Sequence, residues 1–120
     1  RWSADREAED LMGLDLGLMP LDNSPFSRGK CGLKILQYQA AGLPVVCSPV
    51  GANREIVVDG ETGILAAGPS DWVTGMTAVL ADPGRARALG ERGRKRVEDH
   101  YAAPRIAARL ADLIRTAVEA

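Results

Sequence analysis

With 46% hydrophobic and 26% charged residues among 120, the sequence can bury one core without staples, which excludes disordered and fibrous chains. Its 15 basic and 16 acidic residues leave a net charge of -1, so it carries no electrostatic footprint for nucleic acid, and no apolar run is long enough to span a bilayer. Cys31 and Cys47 are too few for a disulfide framework and lack metal-ligand spacing, so they are expected as free thiols with no metal bound.

The opening residues, Arg1 to Asp5, carry no signal-peptide pattern and no methionine, which leads to the expectation that the sequence starts inside a longer protein. Ser3 is expected to cap a helix running to about Leu11. Ala4, Ala8, Leu11 and Met12 would face inward, with Asp5, Arg6, Glu7, Glu9 and Asp10 outward. Asp15 to Met19 reads as a short, largely buried strand ended by Pro20, and Leu21 to Ser27 reads as a loop.

The chain from Arg28 to Ser48 organises the rest. Gly29, Lys30, Cys31 and Gly32 form a glycine-rich loop opening a helix in which Ile35, Leu36 and Gln39 face inward. Gly42 ends that helix in the left-handed conformation, Pro44 prevents its continuation, and a buried strand follows to Cys47. Ser48, Pro49, Val50 and Gly51 leave the strand, Asn53 is expected to cap a short turn holding Glu55, Ile56 and Val57, and a last strand spans Ile64 to Ala66. Helix, strand, helix, strand, short helix and strand in that order argue a parallel sheet with crossover helices.

Beyond residue 69 the pattern is helical. Ser70 is expected to cap a helix with Trp72, Met76, Val79 and Leu80 inward, broken at Asp82-Pro83-Gly84. The next helix sets Ala86, Leu89, Val97 and Tyr101 on one side. Arg85, Arg87, Arg92, Arg94, Lys95 and Arg96 are expected as a solvated face, because Glu91, Glu98 and Asp99 balance them. Pro104 opens a final helix whose stripe of Ile106, Leu110, Leu113, Ile114 and Val118 suits either core packing or docking on a domain outside this sequence.

Ligands of open parallel sheets bind beyond the carboxyl ends of the strands. Two glycines, a helix start and Lys30 suit a phosphate there; the same residues also suit a plain turn with a solvated lysine. Gln37 and Glu55 offer oxygens to sugar or ribose hydroxyls, and equally suit an exposed helix position and a helix dipole.

These segments together resemble the donor-binding domain of the group 1, or family 4, glycosyltransferases. The matching runs are Asp15 to Leu21, Gly29 to Lys34, Gln37 to Val46, Ser48 to Gly51, Asn53, Glu55 to Val57 and Gly60 to Gly63, and the likeness extends from Trp2 to about Tyr101. The resemblance implies the GT-B fold, with two Rossmann-like domains facing a cleft. It also implies sugar transfer from a nucleotide-diphosphate sugar with retention of configuration, needing neither cofactor nor metal. Residues 1–103 would be the second half of the donor domain and 104–120 a terminal helix. Lys30 would stabilise the departing diphosphate, while Gly29, Cys31, Gly32, Leu33, Gln37, Ser48, Pro49, Val50, Gly51 and Glu55 would line the donor site. Gly29 and Gln37 stand where many relatives carry glutamates. The remaining partners would be an acceptor and the missing N-terminal domain, at a cytoplasmic location, peripheral to a membrane through the longer chain. Two other readings use the same residues: a non-catalytic Rossmann-like binding module and a structural interaction domain.

Overall fold

The computed structural model describes residues 2–120. Its sheet is parallel throughout, with strands β1 (Gly17–Met19), β2 (Val45–Cys47) and β3 (Ile64–Leu65) side by side in that order. Gly17 pairs with Val45 and Val46 with Ile64, so all three strands end on one edge. Ala66 N–H donates to Cys47 O at 2.8 Å, extending the last pairing to the residue the sequence assigns to that strand.

β2 is central and covered on both faces, as a continuous Val-Val-Cys run requires. Val45 and Cys47 point to one side, where they meet Ile35, Ile56 and Val57. Val46 points to the other and joins Ala66, Val79 and Leu89. The first layer comes from α3 (Leu33–Ala40) and α4 (Asn53–Ile56), which carry the chain from β1 to β2 and from β2 to β3; α5 (Pro69–Ala81) and α6 (Pro83–His100) supply the second. This is the expected α/β, Rossmann-like arrangement with a helical C-terminal region.

α6 also crosses α3, and it does so at glycines. Gly90 is buried, and a Cβ built on it would stand 2.0 Å from Gly42 O, so its helix can approach the α3–β2 turn only without a side chain there. Gly42 itself has φ +75, the left-handed value expected of it. Gln39 is fully buried beneath this crossing and donates to Thr62 O at 3.0 Å.

Several local expectations change. Ser3 makes no capping bond; a 3-10 turn at Ala4–Arg6 precedes α1 (Glu7–Met12). Ala4, Ala8 and Met12 are exposed because their face opens onto a groove of about 430 Å³ bounded by Ala40, Ala41 and Arg94, with Leu11 only half covered. The segment read as a loop contains α2 (Pro25–Arg28), capped by Ser24, whose side chain accepts from Ser27 N–H. Ser70 lies inside α5, which starts at Pro69; Asp71 accepts from Ala67 N–H instead. Leu80 is exposed, and the inward place is taken by Gly75 against Ile64.

The arginine run behaves largely as a solvated face, with exposed pairs Arg94 to Glu98 at 3.0 Å and Lys95 to Asp99 at 2.9 Å. Arg96 departs from it: it shares the stripe of Leu89, Gly90 and Gly93, and is half-buried. The final helix, α7 (Ala103–Glu119), buries none of its residues; Ile106 is 44% exposed and Val118 81%.

Candidate functional site

Parallel strands bring three segments to one edge: Pro20 to Gly32 after β1, Ser48 to Ala52 after β2, and Ala66 after β3. Ser48 ties the first two. Its hydroxyl accepts from Leu21 N–H at 2.8 Å, and its own N–H donates to Met19 O at 3.1 Å. Asp22 then accepts from the hydroxyls of Ser27 and Ser24, and these bonds hold its carboxyl below the usual carboxylate range.

The glycine loop lies between α2 and α3. The Gly29 and Lys30 amides close the end of α2 by donating to Phe26 O and Ser27 O, both at 3.2 Å. The Cys31 and Gly32 amides donate to no backbone carbonyl among the described residues. With the first-turn amides of Leu33 and Lys34, which a helix leaves without intrahelical acceptors, they form the free donor set. That set begins two residues beyond Gly29, where the sequence reading starts it. Gly29, Lys30, Cys31, Gly32, Leu33 and Lys34 do surround one cleft of about 380 Å³, which Met19 also lines. Lys30 Nζ is held 5.2 Å from the centroid of the exposed Phe26 ring, a cation–π contact worth about 0.5–1 kcal/mol at such a site.

A second loop braces the first. Gly51 has φ +54, and a Cβ there would stand 2.6 Å from Arg28 O, so the turn after β2 packs directly on the backbone entering the glycine loop. α4 lies behind Gly32, whose φ is +72, with Ile56 and Asn53 as its neighbours. Asn53 is buried within α4 and does not cap it: Ala52 is the N-cap, while Asn53 Nδ2 donates to Ser48 O at 2.9 Å. At the other end of α4, Arg96 donates to Ile56 O at 2.8 Å and Glu55 O at 2.7 Å.

The structure therefore gathers Gly29 to Leu33 with Ser48 to Gly51. Glu55 sits exposed on α4, and Pro49 O accepts from Arg54. Gln37 lies further along α3, away from the loop cleft, where its Nε2 donates to Glu7 Oε1 at 2.6 Å. Sequence reasoning places Phe26 and Asn53 at this edge within its loop segments but misses Met19 and Arg96. Arg96 was findable, because positions 89, 90, 93, 96 and 97 repeat at helical spacing along the buried stripe.

The two thiols differ sharply. Cys31 is exposed in the loop, whereas burial, with the Asp59 charge added, pushes Cys47 up to about 12. Iodoacetamide at pH 8 is expected to alkylate Cys31 in the native protein and Cys47 only after denaturation. Two equally fast native thiols in a mass-spectrometric time course would contradict the placement of β2.

The family described as "Glycosyl transferases group 1" matches residues 5–82. A D-inositol 3-phosphate glycosyltransferase of Thermobispora bispora is 36% identical over 107 residues, covering 88% of this chain and 24% of that protein. A GDP-mannose-dependent alpha-(1-6)-phosphatidylinositol monomannoside mannosyltransferase of Mycolicibacterium smegmatis is 41% identical over 87 residues, 69% of this chain and 22% of its own length. Among solved structures, sucrose-phosphate synthase from Thermosynechococcus elongatus superposes with a TM-score of 0.76 at 31% identity, over 88% of this chain and 26% of that one. The chain thus spans about a quarter of the length of these relatives. On the residues matched and the fold shared, it belongs to the group 1 glycosyltransferases.

Proposed function

We propose that these residues supply the donor diphosphate site of a retaining, metal-independent glycosyltransferase that moves a hexosyl group from a nucleotide sugar to an acceptor. The observation that carries this reading is the set of unpaired amides at Cys31 and Gly32, continued by the first turn of α3 and flanked by Lys30 and Lys34. Free amides at a helix N-terminus favour a dianion and favour it more as charge builds on a leaving diphosphate.

Lys30 is the residue assigned to that developing charge. Gly29 lines the wall, its φ of -83 requiring no glycine, and Ser48 to Gly51 hold the loop from beneath. Glu55 is assigned to hydroxyl groups, and Gln37 stands beside the place of the ribose. α7, with its bare apolar stripe, is proposed to dock on the rest of the enzyme. The Mycolicibacterium smegmatis relative is GDP-mannose-dependent by name, which supports a nucleotide-sugar donor here.

The test is the product of the full-length enzyme in the presence of EDTA. NMR of the new glycosidic bond is expected to show the anomeric configuration of the donor, with the 120 residues alone transferring no sugar. An inverted product, or activity abolished by EDTA and restored by a divalent cation, would overturn the reading.

A further inference from the structure

This inference deepens the donor reading and rests on it. Two grooves meet at Lys34. One is the glycine-loop cleft; the other, of about 490 Å³, runs from Lys34 past Gln37 to Glu7 and ends on Trp2. Lys34 and Gln37 stand three residues apart, so they share a face of α3. From Gly32 to Gln37 the helix rises about 7 Å, a span that a ribose covers once its phosphate is seated on the loop amides.

At that distance the chain presents a pair of side chains. Gln37 Nε2 donates to Glu7 Oε1 at 2.6 Å, so the carboxamide holds the carboxylate in place. A carboxylate is the stronger acceptor for hydroxyls, because charge-assisted bonds are roughly twice as strong as neutral ones. Trp2, exposed at the end of the groove, offers a flat face to a base. Neither Glu7 nor Trp2 was read from the sequence as part of a site; Glu7 was placed on a solvated helix face.

We propose that Glu7 is the ribose-binding residue of this chain. Its carboxylate, oriented by Gln37, accepts the hydroxyl pair of a nucleoside diphosphate whose phosphates lie on the Cys31, Gly32 and Leu33 amides. Gln37 is then a positioning residue, and the acid stands on α1 in place of α3.

The probes are inorganic pyrophosphate, GDP, UDP and ADP, and the 2′,3′-dideoxy form of the tightest-binding nucleotide, titrated into the wild type, Glu7→Ala and Glu7→Gln. Both variants are expected to weaken the nucleoside diphosphate about tenfold, the scale of a lost charged hydrogen bond, and to leave pyrophosphate unchanged. The dideoxy nucleotide should bind wild type and Glu7→Ala equally weakly. Unchanged nucleotide affinity in Glu7→Ala, or an equal loss for pyrophosphate, would overturn the role of Glu7 while leaving the phosphate cradle standing. Wild-type protein that binds neither pyrophosphate nor any nucleotide would remove both readings together.

Discussion

Replacing Gly90 with alanine is expected to destabilise the fold by about 2 kcal/mol net and to lower Tm by about 8 °C. Two effects oppose. Alanine gains about 1 kcal/mol of helix propensity over glycine, but its Cβ would stand 2.0 Å from Gly42 O and 2.9 Å from the same carbonyl carbon. Those are backbone atoms of the left-handed turn that ends α3, so no rotamer change relieves the clash. α6 must move off α3, which uncovers Gln39 and the edge of Leu89. Overpacking costs of about 3 kcal/mol outweigh the propensity gain. Urea unfolding checks the sign: a Gly90→Ala variant as stable as wild type, or more so, would mean that the helices do not cross so closely.

Lys30→Ala acts on the site and spares the fold. Its expected effect is a loss of about 10- to 100-fold in kcat/KM of the full-length enzyme, the scale of one charged hydrogen bond to the leaving diphosphate. Stability should change by about 1 kcal/mol or less, since Lys30 is exposed and gives up only its contact with Phe26. A fall confined to kcat would place the interaction in the transition state, and a rise confined to KM would place it in ground-state binding. Equal losses of folding and turnover would remove Lys30 from the site and make it a structural residue of the loop.

How much of this was legible in the sequence depends on where each signal is local. Gly42 and Pro44 mark the helix-to-strand turn by backbone chemistry alone, and the Val45-Val46-Cys47 run announces a strand buried on both faces; all three features are present. Capping was less legible. Ser24 followed by Pro25 is a helix start, yet four residues of helix among Asp, Asn and Ser look like loop until Asp22 is seen gathering the serine hydroxyls.

Non-local contacts decided the remainder. Spacing puts Arg96 on the buried stripe, but its partners are carbonyls some forty positions earlier in the chain, and no spacing rule supplies them. The inward set assigned to α1 is periodic in sequence, but periodicity names a face and not its partner, and that face opens on a groove. The same holds for α7, whose stripe was legible while its cover was not. At the candidate site the sequence located the loop, whereas which amides remain free followed only from the turn that closes α2.

A nucleotide diphosphate held by the loop between α2 and α3 would move the loop's backbone amide resonances on titration with UDP, GDP and ADP. Saturable shifts are expected at Cys31, Gly32, Leu33 and Lys34, spreading to Gly51 through its contact with Arg28 and to Ile56 behind Gly32, with the α5 amides unmoved. Saturable shifts elsewhere, with Cys31 to Lys34 silent, would contradict it.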